Sequence, residues 1–200
     1  MSEKLIACKS CIRIENNFQE LRLKYPTYYN LPVEGRGNLS ARVCIVGLAP
    51  GLHGANKTGQ TFTGDYCSEI LFQCLRKASL YDNETPKFYI TNALKCLPPN
   101  NKPNISELNN CLKYLKNDII SLSNLRVIVA LGLHAHNSVL KCYDMKMTKY
   151  KFSHGAIHKL DGITLFDSYH CSKININNKR LTKLALVEVL SAALEYSEYD

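Results

Sequence analysis

The sequence predicts an α/β fold, with four strands in a parallel sheet and helices on both of its faces. Three observations carry this. Apolar, β-branched runs alternate with segments of helical periodicity along the 200 residues, which is the pattern of βαβ units. The run Leu125–Leu131 is apolar almost throughout and stops at Gly132, as a strand covered on both faces does. Half of the ten glycines (Gly47, Gly51, Gly54, Gly59 and Gly64) fall in one loop after the first strand, where backbone can approach a ligand closely.

The elements follow in order. Cys8-Lys9-Ser10-Cys11 is a C-x-x-C pair, and a helix follows over about Arg13–Tyr25. Tyr25–Pro32 breaks it and reads as an extended, aromatic-rich arm, and Gly35-Arg36-Gly37 as a turn. Arg42–Gly47 is the first strand. Asp65–Leu80 is the first full helix, with Ile70, Leu71, Cys74, Leu75 and Ala78 on one face. Phe88–Leu94 is the second strand. Three prolines within Pro98–Pro103 make the next segment irregular, since proline fits neither helix interior nor ladder. Asn104, with Glu107 three residues on, looks like a capped helix start. Leu125–Leu131 is the third strand, followed by a helix to about Cys142. Tyr143–Lys159 reads as basic and irregular. Ile163–Phe166 is the fourth strand and runs into Asp167-Ser168-Tyr169-His170-Cys171-Ser172-Lys173. A polar loop reaches Arg180, and the last helix starts near Thr182.

In parallel sheets, ligand-contacting residues lie just beyond the carboxyl ends of the strands. The Gly47–Asp65 loop, Asn92 and the Tyr169-His170 loop all fall there. One crevice can be lined by all three.

Composition sets the outer limits. A hydrophobic content of 46% supports a real core without disulfides. The net charge of +8 suits a polyanion such as nucleic acid, and equally fits a basic protein with no such partner. The first ten residues are polar, unlike a secretory leader. No apolar run nears the ~18 residues of a membrane span. A cytoplasmic protein is therefore expected. Nine cysteines without an export signal point to metal binding plus buried free thiols.

Each motif carries a bland reading beside the functional one. Lys57-Thr58 resembles a phosphate-binding loop, but Asn56 stands where the pattern requires glycine. Asp65 caps the helix at Tyr66, serves chemistry, or does both. Phe62 is either core or a stacking surface for a flat ligand. Cys8, Cys11, Cys96 and Cys111 form two pairs that could bind zinc or a [4Fe–4S] cluster, although Cys111 could simply pack. Cys44 and Cys74 read as core, while Cys67, Cys142 and Cys171 stay unassigned. His170 directly follows a strand in a polar loop, which favours a functional role. His53 is a weaker candidate, and His134, His136, His154 and His158 read as surface or loop residues.

Taken together, these segments resemble the uracil-DNA glycosylase superfamily, and within it family 5, the iron–sulfur B-type branch. The residues that carry this are Gly47–Gly59 with Phe62-Thr63-Gly64-Asp65, Ile90–Cys96 with Pro98–Pro103, and Ser168–Ser172 with Arg180-Leu181-Thr182. The resemblance implies a three-layer α/β/α fold around a central four-stranded parallel sheet, in a single domain spanning 1–200 with an N-terminal cluster-binding segment. It implies a structural [4Fe–4S] cluster on Cys8, Cys11, Cys96 and Cys111. It also implies a monofunctional base-excision enzyme acting on uracil, and on related deaminated bases such as hypoxanthine or xanthine.

On that resemblance, Phe62 stacks on a base flipped out of DNA and Asn92 reads its polar edge. His170 donates to the departing uracil oxygen, and Asp65 positions water or stabilises the sugar cation. Gly47 and Gly51 let backbone come close. Ser172, Lys173 and Arg180 are DNA contacts, and Ile174 is a wedge or a loop anchor. Leu48 and Ala49 stand where many superfamily members carry an acidic or amide residue, which moves the water-handling task to Asp65. Ser172 stands where many relatives have proline. A monomer is expected. Two other classes compete: a non-catalytic iron–sulfur or zinc nucleic-acid-binding module, and a nucleotide-binding enzyme using Lys57 on phosphate.

Overall fold

The computed structural model describes residues 3–82 and 85–199. Met1 and Ser2, in the polar N-terminal stretch, lie outside the described residues, as do Asn83, Glu84 and Asp200 of the expected 1–200 domain. In chain order the elements are α1 (Glu3–Ile6), α2 (Ile12–Lys24), β1 (Arg36–Gly37), β2 (Val43–Gly47), α3 (Ala55–Thr58), α4 (Tyr66–Lys77), β3 (Tyr81–Asp82), β4 (Thr85–Pro86), β5 (Phe88–Asn92), α5 (Ile105–Ile120), β6 (Val127–Leu131), α6 (Leu133–Cys142), β7 (Ile157–Lys159), β8 (Thr164–Ser168), α7 (Lys173–Asn177) and α8 (Lys183–Glu198).

The main sheet runs β1-β5-β2-β6-β8-β7. Its four central strands, β5, β2, β6 and β8, are parallel. The expected four-stranded sheet is therefore corrected to a mixed, six-stranded one. β1 adds antiparallel to β5, and β7 antiparallel to β8. Both additions were read as turn or irregular chain. Strands of two and three residues are too short to show alternation, so their sequence carries no period. The hairpin β3–β4 is separate and was also missed.

The central strands are buried on both faces, and alternation sorts their side chains. Val43, Ile45, Phe88, Ile90, Val127 and Val129 pack under α4 and α8. Cys44, Val46, Tyr89, Ile128 and Ala130 pack under α5 and α6. A third cluster seats α2, through Ile14, Phe18 and Leu21, on Leu94, Leu97 and Cys111. Cys44 and Cys74 are core residues, as expected.

The connection after β2 leads to α4 on one face, and that after β6 leads to α6 on the other. The adjacent strands β2 and β6 therefore part company at their carboxyl ends, which opens a crevice between them. Register places Gly47 beside Asn92 and Leu131 beside Ser168 at that end. β8 extends to Ser168, two residues beyond the expected strand. Its side chains therefore carry rigid sheet geometry up to Tyr169 and His170.

α5 starts at the capping box of Asn104 and Glu107. The Glu107 carboxylate accepts from the Asn104 amide at 2.7 Å and from the Arg13 fork at 2.8 and 2.7 Å. One carboxylate thus fixes the start of α5 and the seat of α2. Burial pushes the Glu107 carboxyl up, but the Arg13 and Asn104 hydrogen bonds outweigh it and hold the group below its ordinary value. The Tyr25–Pro32 arm begins with a turn rather than running extended throughout: the Tyr28 amide donates to the Tyr25 carbonyl at 3.1 Å, and the two rings stack at 4.7 Å.

Candidate active site

A cleft of about 490 Å³ opens at the carboxyl ends of β2 and β6. It is lined by Leu48–Gly51, Phe62, Asp65 and Asn92, by Leu131–His134 at the start of α6, and by His170, Ser172 and Ile174. Phe62, Asp65, Asn92 and His170, drawn from separate segments of the sequence, therefore meet at one place. Gly51 lines the same cleft. Leu48 and Ala49 line it too, and their side chains are apolar.

Gly47 acts differently from expectation. It does not line the cleft; it makes room for two residues that do. A Cβ on Gly47 would lie 2.5 Å from Asn92 Oδ1 and 2.5 Å from the Phe62 ring. Asn92 is 2% exposed, and its Oδ1 has no hydrogen-bond partner among the described residues. A buried amide oxygen left unpaired is unfavourable by about 1–3 kcal/mol, unless a ligand satisfies it.

Phe62 has φ +53, a left-handed backbone that bulky residues avoid and that marks built sites. Arg36 is what holds it. The Arg36 guanidinium donates to the Thr61 carbonyl at 2.7 Å and to the Phe62 carbonyl at 3.2 Å, and it stacks on Phe72. The sequence assigned Arg36 to a turn, since nothing in G-R-G tells where the side chain goes. Replacing Arg36 with Ala frees two carbonyls and the strained turn. We expect a loss of about 1–3 kcal/mol in urea denaturation. Arg36→Lys should recover little, because one ammonium does not reproduce the fork.

Asp65 is the N-cap of α4. Its Oδ1 accepts from the Ser68 amide at 2.9 Å and the Ser68 hydroxyl at 2.6 Å. The other oxygen lies over Gly54, where a Cβ would come within 2.2 Å of it. Both readings of Asp65, cap and site residue, are therefore compatible with its position. Gly64, at φ +81, supplies the backbone turn just before it.

His170 is partly buried. Burial pulls its pKa below the ordinary histidine value, and the nearby Asp65 carboxylate opposes this only in part. The ring is thus biased to neutral at pH 7. Its loop is held from several sides. Asn175 Nδ2 donates to the His170 carbonyl at 2.8 Å. The Tyr169 ring stacks on His154 at 5.5 Å, with the Arg180 guanidinium 4.6 Å from its centre. The Tyr169 amide donates to His154 Nδ1 at 3.3 Å. Ser172 lines the cleft and caps α7 by accepting from Asn175 N. Lys173 and Arg180 are exposed. Ile174 is 71% exposed at the cleft edge, so it is not a buried loop anchor.

The histidines need correction. His136 is fully buried on α6 and His158 is partly buried on β7, rather than surface or loop residues. His134 is exposed but lines the cleft. Cys67 also lines it, with its thiol pushed up to about 11 by burial and by Asp65. Lys57 is exposed over the Tyr28 ring at 5.5 Å, on the one-turn helix α3. It is not among the residues that line the cleft, so the geometry offers the nucleotide-binding alternative no support.

A second cavity gathers Cys8, Cys11, Cys96 and Cys111, with Tyr114 and Asn110 at its wall. Asn110 Nδ2 donates to Cys11 Sγ at 3.6 Å, and the Lys95 amide donates to Cys111 Sγ at 3.2 Å. Burial pushes the Cys96 thiol up strongly and Cys111 to about 11. At Cys8, burial also acts upward, but hydrogen bonding with Ser10 and Tyr114 outweighs it and lowers the thiol. Four soft donors line this one cavity, and N–H groups are aimed at two of the sulfurs. Among the described residues no three of these sulfurs lie within 4.8 Å of one another, a wider spacing that fits an iron–sulfur group better than a single thiolate-bound ion.

The overall fold is similar to that of a solved structure, SMUG2 of Pedobacter heparinus, with a TM-score of 0.51 at 15% identity over 90% of this chain and 83% of that one. The chain is 37% identical to a type-5 uracil-DNA glycosylase of Pyrobaculum aerophilum, over 95% of its own length and 89% of the relative's. It is 35% identical to one of Thermus thermophilus, over 96% and 94%. A type-4 uracil-DNA glycosylase of Archaeoglobus fulgidus matches at 32% over 64% of this chain and 62% of that one. The sequence profile of the uracil DNA glycosylase superfamily matches residues 34–194, a span that contains the whole cleft. The chain belongs to the uracil DNA glycosylase superfamily, on its type-5 branch.

Proposed function

We propose that this protein excises uracil from DNA in base excision repair, hydrolysing the N-glycosidic bond of a base flipped into the cleft. The observation that carries the residue assignment is the buried, unpartnered Asn92 oxygen, set in the same cleft as Phe62 and His170. A uracil edge supplies the donor that this oxygen lacks. Phe62 provides the stacking face, in a backbone turn fixed by Arg36.

Bond cleavage leaves negative charge on the departing base and positive charge on the sugar. His170, neutral and able to donate, stabilises the base charge only as it develops, which is the kind of interaction that accelerates a reaction. Asp65 faces the same cleft and stabilises the sugar cation or orients water. Lys173 and Arg180, exposed beside the cleft, contact phosphates, with Ser172 between them and His170. The net charge of +8 draws DNA to the protein.

Cys8, Cys11, Cys96 and Cys111 would hold a [4Fe–4S] cluster. When bound, it supplies a cross-link between the N-terminal segment, the chain after β5, and α5. The glycosidic step uses none of these cysteines. Cys96→Ser should lose the brown colour and the iron, measured by absorbance and iron content. Retention of both would reject the ligand set.

The central test is alkali-labile cleavage of oligonucleotides carrying uracil, hypoxanthine or xanthine. Uracil strands should be cut, and intact uracil strands with purified holoprotein would reject the activity. DNA binding without cutting would favour the non-catalytic binding module instead. Asp65 can be dissected by two substitutions. Asp65→Asn keeps a capping side chain, so Tm should hold while excision falls about tenfold, near 1.4 kcal/mol. Asp65→Ala should add about 1 kcal/mol of destabilisation from the lost cap.

A further inference from the structure

Away from the cleft and the cysteine cavity, three side chains converge that the proposed reaction does not use. They are His136 on α6, His158 on β7 and Asp167 on β8. His136 Nδ1 lies 2.8 Å from Asp167 Oδ1, and His158 Nε2 lies 3.0 Å from Asp167 Oδ2. One candidate ligand atom from each residue falls within 4.8 Å of the other two. We propose that these three residues form a site for one divalent cation of the zinc class.

The argument starts from the outer nitrogen of His136. Nε2 is 2.9 Å from the Tyr150 carbonyl oxygen. A carbonyl only accepts, so Nε2 carries a hydrogen. In a neutral ring, Nδ1 then presents its lone pair, and what it faces is a carboxylate oxygen that also only accepts. Two buried acceptors at 2.8 Å need a positive centre between them. A proton is one such centre, and a metal cation is the other.

The surroundings favour the metal. Both histidines turn a nitrogen to the same carboxylate, each to its own oxygen. Two imidazoles and one carboxylate are a ligand set that zinc takes with a fourth position left for water. The Nε2–H on a backbone carbonyl is the outer contact that metal-bound histidines make to fix tautomer and ring angle. The three residues sit on helix or strand, so their spacing is held by the fold. His158 is partly exposed, which leaves an entry side.

Binding there would be structural. It would staple β7 and the chain before it to β8. That chain includes His154, which accepts from the Tyr169 amide and stacks on the Tyr169 ring next to His170. The site is independent of the glycosylase assignment and of the cysteine cluster.

The test uses the cluster-loaded protein, dialysed against buffered Zn²⁺ and analysed for zinc and iron together. The expected result is one zinc per chain, lost in Asp167→Asn and in His158→Gln with iron content unchanged. Cadmium-113 NMR on the cadmium-exchanged protein should show a resonance in the nitrogen–oxygen range rather than the thiolate range. Tm should rise by a few degrees with zinc in the wild type only. If Asp167→Asn fails to fold, His158→Gln at the partly exposed edge strand decides. Zinc absent from the wild type, zinc retained in His158→Gln, or a thiolate-range resonance would each overturn the site. So would nitrogen-15 NMR showing His136 doubly protonated and unchanged by added zinc.

Discussion

Replacing His170 with alanine should slow uracil excision by about 10²–10³-fold, with binding to uracil-containing DNA nearly unchanged. The side chain lies at the end of a sheet strand extended to Ser168 and faces the cleft that holds Phe62 and Asn92. In the role proposed for it, its contact with the base matters most once charge has moved onto the base. Single-turnover rates and gel-shift affinities on the same oligonucleotide separate the two effects. An equal loss of both would make His170 a binding residue only. The pH profile adds a second reading. Burial holds the ring below the ordinary histidine pKa, so the neutral donor persists through neutral and mildly acidic conditions. The rate should stay level on lowering the pH through the ordinary histidine range and fall only below the depressed value. A rate that climbs with acid would mean that the imidazolium is the working form.

Gly47→Ala should be nearly as damaging, although the residue touches no substrate. The added methyl would enter a space 2.5 Å from both Asn92 Oδ1 and the Phe62 ring. Neither neighbour can yield easily. Asn92 is buried in register beside Gly47, and Phe62 is pinned by Arg36. Overpacking of this kind is destabilising by about 1–3 kcal/mol. Displacing the reading and stacking groups by a fraction of an ångström should slow excision by about 10²-fold. Thermal melts and excision rates measure the two losses. Normal excision with lowered Tm would show that the cleft tolerates the shift.

The parallel core was legible because its strands are long enough to carry a pattern. Val43–Gly47, Phe88–Asn92 and Val127–Leu131 announce themselves as apolar runs. The capping box at Asn104 and Glu107 was legible for a similar reason: both partners lie within one turn. The two edge strands were not, since two or three residues hold no period. Contacts across long sequence separations were equally hidden. Arg36 reaches Thr61 and Phe62 through a turn that looks generic. His136, His158 and Asp167 meet only because α6, β7 and β8 do. Gly47 was expected to let backbone come close to a ligand, and its place beside Asn92 and Phe62 was hidden, since only geometry shows which atoms its missing Cβ would strike.

The two short edge strands have a bearing on solubility. A sheet of parallel strands exposes unpaired N–H and C=O rows at its margins, and long flat margins recruit other chains. Here those margins end in two residues at Arg36–Gly37 and three at Ile157–Lys159, each carrying a basic side chain. Neither offers a template long enough for another molecule to extend. Truncated borders of this kind guard against edge-to-edge aggregation.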